Sequence, residues 1–144
     1  MNADSYDAAV DLGRPTEPSR TPRRWWTVIT AALAAAIFIE AVFAGAMLSG
    51  AGWAREAHAA GAAILIVSTV GAGLASLATL RRVPQGLKLG LILLSLGLVV
   101  FLQAAVGAMT AKGANLLWVH VPLGVALVGF AGQAMAGARR LGAA

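Results

Sequence analysis

The chain of 144 residues has no cysteine, only two histidines and few charged residues. Without cysteine it can form no disulfide, hold no metal through thiolates and perform no thiol chemistry. Charged residues make up 12% of the sequence and hydrophobic residues 59%, whereas about a quarter of the residues in a soluble domain are charged. The sequence also has no glycine-rich phosphate loop, no nucleophile elbow and no pair of carboxylates, so it gives no basis for a nucleotide-binding or hydrolytic site.

The apolar residues fall in four long runs, at about 25–49, 57–80, 89–109 and 113–138. Each run is long enough to cross a bilayer, which takes ~20 residues in a helix. We therefore expect an all-α integral membrane protein, an up-down four-helix bundle formed by residues 25–140. Residues 1–24 contain three prolines and no apolar period, which predicts a disordered cytoplasmic tail.

Positive charge is distributed unevenly between the ends of these runs. Nine of the eleven basic residues lie before the first run, between the second and third, or after the fourth: Arg14, Arg20, Arg23, Arg24, Arg81, Arg82, Lys88, Arg139 and Arg140. Only Arg55 and Lys112 lie in the other two loops. By the positive-inside rule, both termini and the middle loop are predicted to be cytoplasmic. Topology and lipid contacts thus explain the net charge of +5, and no nucleic-acid partner is expected.

A pattern that contains both histidines occurs twice, 62 residues apart. The tripeptide Gly-Ala-Met begins at Gly45 and again at Gly107, and a histidine, His58 or His120, follows ten residues after each methionine. The chain therefore consists of two repeated helical hairpins. Residues equidistant from a hairpin turn lie at one depth, so each histidine should face the glycine of its own pattern, ~10 Å inside the outer turn. Helices 2 and 4 are diagonal in such a bundle, which predicts two imidazoles at one level across its interior.

Two histidines suit a haem, because the porphyrin supplies four nitrogens and the protein only two axial ligands. A closed zinc site would need four protein ligands. Four glycines are expected to leave room for a flat cofactor: Gly45 and Gly107 at the histidine level, and Gly61 and Gly124 about one turn deeper. These residues favour a b-type haem held near the outer face by His58 and His120.

Four polar residues lie near the expected histidine level. Arg55 and Lys112, at the outer turns, are predicted to face haem propionates. Glu40 is the only carboxylate within a predicted span, and an ionisable residue in a membrane is a candidate functional residue. Three roles stay open for it: a neutral structural residue, a hydrogen-bond partner of a ligating imidazole, or a proton relay to a substrate such as a quinol. Gln103 occupies nearly the corresponding position in the second hairpin.

Other interpretations of the same residues remain open. Met47 and Met109, together with the histidines, would suit copper(I), although methionine also fills gaps in apolar bundles. If the histidines only begin helices and the glycines only serve packing, the chain is a cofactor-free structural or accessory subunit. Copper or small-solute handling is a third possibility. The GxxxG spacing that begins at Gly86 is compatible with a homo-oligomer.

One histidine on helix 2 and one on helix 4 of a four-helix membrane unit resemble half of haem A synthase and, more loosely, cytochrome b561-type proteins. The layout is also similar to an uncharacterised family of small bacterial four-helix membrane proteins. The resemblance covers about residues 25–138 and implies that His58 and His120 are axial haem ligands. It implies an electron-transfer protein of the bacterial inner membrane, an oxidoreductase component with a quinol or a partner oxidoreductase. Haem A synthase has a further Glu and His pair on its first helix and two such halves, whereas helix 1 here has Glu40 and no histidine.

Overall fold

The computed structural model describes residues 20–141, which form four α-helices and no strand. They are α1 (Arg20–Leu48), α2 (Ala54–Leu80), α3 (Pro84–Ala111) and α4 (Leu117–Arg139). Each helix contains a segment long and apolar enough to cross a membrane. The prediction of an all-helical protein with four potential spans is confirmed. Insertion in a bilayer, the side on which the termini lie and the repeat stay predictions.

The helix ends differ from the predicted spans where local turn chemistry decides them. Helix α1 begins at Arg20, inside the predicted tail, and the remaining tail residues 1–19 lie outside the described residues. Helix α3 begins at Pro84, five residues before the predicted span, because proline at the first helical position fixes a helical φ and lacks an N–H that would need a partner. Helix α4 begins only at Leu117, because Gly113 adopts φ +100° and turns the chain.

The helices form a ring in which each contacts two others. Connections of three to five residues join successive helices, so neighbours run in opposite directions. Helix α4 closes the ring by packing against α1, whereas α1 and α3, and likewise α2 and α4, make no direct helix contact within the described range. The expectation that helices 2 and 4 are diagonal therefore agrees with the contacts between helices.

Small residues bring α2 and α3 together in the most extensive of these contacts. A Cβ added to Gly73 would lie 2.8 Å from the side chain of Leu94, and one added to Gly97 would lie 2.9 Å from Cγ2 of Val70. Such close backbone approach replaces the hydrophobic driving force that is missing between helices in lipid.

The glycines of the GxxxG spacing belong to this same contact. Gly86 packs against Leu80, and its carbonyl oxygen accepts a 3.0 Å hydrogen bond from Ser76 Oγ. Gly90 packs against Leu77 and the main chain of Gly73. The spacing therefore serves the α2–α3 pair inside the chain and gives no support for an oligomer contact.

Buried side chains concentrate in one half of the bundle, the half that contains the arginine-rich helix ends. Leu89, Leu93 and Leu96 of α3 are fully buried there. The buried residues of α1 stop at Ile37, and those of α4 start at Leu127. We call this end the arginine half and the opposite end, where both histidines lie, the histidine half.

Candidate functional site

A cavity of about 470 Å³ lies in the histidine half, and all four helices contribute to its lining. It falls within the usual range for small-molecule sites, roughly 300–1,000 Å³. One buried apolar side chain from each helix separates it from the packed arginine half: Ile37, Leu65, Val100 and Leu127. We call these four residues the floor of the cavity. The polar side chains in its lining are Glu40, His58, Gln103 and His120.

The two histidines lie next to each other across the cavity. The centroids of the His58 and His120 rings are 6.3 Å apart, and the ring planes are nearly perpendicular, at 89°. The rings belong to α2 and α4, which do not otherwise touch within the described range. The structure thus brings together side chains that are 62 residues apart in the sequence, at the level where the turn spacing places them.

Glu40 holds the first histidine. Its Oε2 lies 2.6 Å from Nδ1 of His58, a distance at which the two groups share a proton in a hydrogen bond. Glu40 is 12% exposed and His58 is 25% exposed, so water competes little for this bond. The contact fixes which ring nitrogen faces the carboxyl group and leaves Nε2 of His58 for another partner.

Gly61 provides the space for the Glu40 carboxyl group. A Cβ added to Gly61 would collide with Oε1 of Glu40. The sequence analysis expected this glycine to leave room for a flat cofactor, but that room is taken by a side chain of the protein itself. The depth count gave the correct level for Glu40, one turn below His58, but it could not give the direction of its side chain.

Gln103 has the corresponding place beside the second histidine. Its Nε2 donates a 2.8 Å hydrogen bond to the carbonyl oxygen of His120 and also lies 3.4 Å from His120 Nε2. A Cβ added to Gly124 would lie 3.0 Å from the same amide nitrogen. Gly124 therefore accommodates Gln103 as Gly61 accommodates Glu40, so its expected role as cofactor clearance is also not what the structure shows. The two hairpins place a carboxyl group and an amide at equivalent points.

Two polar atoms of the second hairpin have no partner among the described residues. Gln103 Oε1 and His120 Nδ1 are buried, and neither makes a hydrogen bond within residues 20–141. An unpaired buried polar atom costs ~1–3 kcal/mol. The second hairpin is thus less completely hydrogen-bonded than the first, where Glu40 and His58 satisfy each other.

The two glycines of the repeated tripeptide are not equivalent in the structure. A Cβ on Gly107 would lie 2.8 Å from Cε1 of His120, so this glycine faces its histidine as expected. A Cβ on Gly45 would meet nothing within 4 Å. Gly45 lines the cavity but does not contact His58, because that ring faces Glu40.

The remaining candidate residues lie away from the cavity. Arg55 and Lys112 are exposed in the histidine half, and neither lines the cavity. Met47 and Met109 do not line it either, and Met109 is 53% exposed. The part of the chain that the structure describes contains no group of three or more His, Cys, Asp or Glu residues that could hold a metal ion alone. Nothing in this geometry favours the copper interpretation.

An apolar opening between α1 and α4 was not predicted from the sequence. Side chains that line the cavity and are also exposed come from these two helices: Phe38, Leu48, Val121, Val125 and Val128. Helices that are apolar on all sides carry no stripe that distinguishes an inward from an outward face, so the sequence held no signal for the opening. The floor was detectable in part, since Leu65 and Leu127 are separated by the repeat offset.

Comparisons of the chain with protein-family models, with curated proteins and with solved structures find no match. The functional interpretation therefore rests on the residues of this chain and their geometry.

Proposed function

We propose that the protein is an electron-transfer component of the bacterial inner membrane that binds one b-type haem through His58 and His120. In this proposal the four helices span the bilayer as two repeated hairpins, with both termini on the cytoplasmic side. The observation that carries it is the histidine pair: the only two histidines of the chain have ring centres 6.3 Å apart beside a cavity.

The separation of the rings agrees with two ligands on opposite sides of one metal ion. With metal–nitrogen bonds of ~2 Å, as histidine makes to metals, the centres of two such imidazoles are roughly 6 Å apart. A haem needs only these two protein ligands, which agrees with the absence of any larger ligand cluster among the described residues. When bound, a haem supplies one-electron redox chemistry.

The Glu40–His58 contact supports a ligand role for His58. Histidines that bind metals usually donate their other ring N–H to a carboxylate or a carbonyl group, which fixes the ring and raises its basicity. Nδ1 of His58 faces Glu40 Oε2 at 2.6 Å, so Nε2 is the nitrogen available to iron. Of the three roles left open for Glu40, the geometry favours the hydrogen-bond partner of an imidazole.

The tryptophans support the proposed orientation in the membrane. Trp25 lies near the start of α1, whereas Trp53 and Trp118 lie near the starts of α2 and α4, and all three are more than 60% exposed. Tryptophan prefers the two membrane interfaces, so these residues mark the two edges of an apolar band. With the arginine half cytoplasmic by the positive-inside rule, the histidine pair lies toward the outer face.

The expected electron donor is a membrane quinol or a partner oxidoreductase. A quinol is soluble in the bilayer, and the cavity opens between α1 and α4 through exposed apolar side chains such as Phe38 and Val125. The resemblance to half of haem A synthase and to cytochrome b561-type proteins points to the same class of function and forms part of the proposal.

A spectrum of the purified protein tests the proposal. After expression with ample haem, the reduced-minus-oxidised spectrum should show the sharp α and Soret bands of a low-spin haem. His58→Ala and His120→Ala should each abolish the low-spin form, and added imidazole should restore it by replacing the missing ligand. A wild-type protein without these bands would refute haem binding. A low-spin spectrum retained in either variant without imidazole would refute the ligand assignment.

A further inference from the structure

The cavity is walled differently on its four sides. Helices α2 and α3 contribute residues that face the bundle interior, among them Leu65 and Val100 of the floor, which are both 4% exposed. Helices α1 and α4 contribute side chains that line the cavity and also reach the outer surface, among them Phe38, Val121 and Val125. The side between α1 and α4 is therefore the open one.

The packing of α1 and α4 shows where this opening begins. Below the floor the two helices are in contact, and Leu33 of α1 and Ala131 and Ala134 of α4 are buried. Above Ile37 no residue of α1 is buried, and before Leu127 no residue of α4 is buried. From Ile37 to Leu48 the cavity follows α1 over eleven residues, or ~16 Å of helix. We call this side of the cavity the α1–α4 opening.

The chemistry of the opening matches lipid rather than water. Its rim consists of apolar side chains, whereas the four polar side chains of the lining lie farther in and are less exposed. In the proposed orientation the rim lies at the level of the hydrocarbon core. A water-soluble ligand gains nothing from such a rim, whereas a flat, largely apolar molecule dissolved in the bilayer can cross it without loss of hydrogen bonds.

We propose that haem reaches His58 and His120 sideways from the lipid phase, through the α1–α4 opening, and not from the aqueous surface. This inference rests on the proposed haem function and adds the source of the cofactor and its route. Because the opening lies in the histidine half, entry of the cofactor leaves the packed arginine half undisturbed.

A reversible obstruction of the opening tests the route. Val125→Cys places a single thiol at the rim, because the chain has no other cysteine. Val125 is 70% exposed and lines the cavity, whereas Val67 of α2 is 73% exposed and does not, so Val67→Cys is the matched control. Asn115→Cys, at an exposed position of the α3–α4 connection, is the control for entry from the aqueous side.

The full-length variants are produced without haem, labelled with a bulky disulfide-linked reagent and reconstituted in vesicles. Haem is then supplied dissolved in vesicles of the same lipid, and the rise of the Soret band is followed. The label on residue 125 should slow binding by about tenfold or more, and its removal with a reductant, which is washed out before haem is added, should restore the rate. Labels on residues 67 and 115 should leave the rate unchanged.

The outcomes separate the two proposals. Equal rates with the label at residues 125 and 67 would overturn the lipid route, as would a slow rate only with the label at residue 115. Failure of the unlabelled variants to bind haem at all would overturn the proposed function and the route with it. Restoration of the rate after removal of the label excludes misfolding as the cause of slow binding.

Discussion

The two glycines of the repeated tripeptide offer a test of the site geometry in which each variant is the control for the other. Gly45 and Gly107 hold equivalent sequence positions, each 13 residues before a histidine. A Cβ on Gly107 would lie 2.8 Å from Cε1 of His120, whereas a Cβ on Gly45 would meet nothing within 4 Å. Gly107→Ala should therefore perturb the second histidine, and Gly45→Ala should perturb neither.

The difference between the two variants isolates the collision. Both substitutions replace a glycine inside a helix, and alanine there is favoured by ~0.5–1 kcal/mol. That gain is common to both and cancels in the comparison. Forcing an extra methyl group into a closely packed place costs ~1–3 kcal/mol. The free energy of unfolding of Gly107→Ala should thus lie ~1–3 kcal/mol below that of Gly45→Ala.

Unfolding of the two variants in mixed micelles, by titration with a denaturing detergent, measures this difference. A haem titration of the same samples shows whether the His120 ring has moved, because Gly107→Ala should bind haem more weakly while Gly45→Ala binds it as the wild type does. Stabilities within ~0.5 kcal/mol of each other, which is the ordinary range for surface substitutions, together with equal haem binding, would refute the close approach of Gly107 to His120.

Two further predictions concern the α2–α3 contact and the acidic side chain of the site. Gly97→Ala should destabilise the bundle by ~1–3 kcal/mol, because its Cβ would lie 2.9 Å from a side chain of α2, while Gly71→Ala, whose Cβ meets nothing within 4 Å, should not; detergent unfolding of both variants decides this, and equal losses would contradict it. Glu40→Ala should weaken haem binding by ~10–100-fold and raise the midpoint potential, since His58 loses its carboxyl partner, while Glu40→Gln should retain most of the affinity because an amide oxygen still accepts the bond. Redox titration of the three proteins checks the latter prediction, and an unchanged potential in Glu40→Ala would contradict it.

The sequence was sufficient for those parts of the structure that depend on distance along a helix. The lengths of the apolar runs predicted four helices. The equal spacing of His58 and His120 from their turns predicted one depth for both rings, because the rise per residue is nearly constant. The ring distance of 6.3 Å agrees with this simple count. Haem binding, membrane insertion and orientation stay predictions.

The sequence was insufficient for features that depend on rotation about a helix axis. Gly61 and Gly124 lie near the histidine level, but whether they face a cofactor or a side chain depends on how the helices pack. The structure places Glu40 against the first and Gln103 against the second. Helices that are apolar on every side provide no pattern from which that rotation could be derived. The same limit explains why Arg55 was expected near the cofactor and is exposed away from the cavity.

The concentration of buried side chains below the floor separates the source of stability from the site. Hydrogen exchange should be slowest for amides of the fully buried segment Leu89–Leu96 and faster for those near His120, since opening free energies follow local packing. Substitutions around the cavity then act on a part of the molecule that contributes little to keeping the chain folded. The histidine half can therefore change its ligand, by mutation or by design, while the arginine half maintains the bundle.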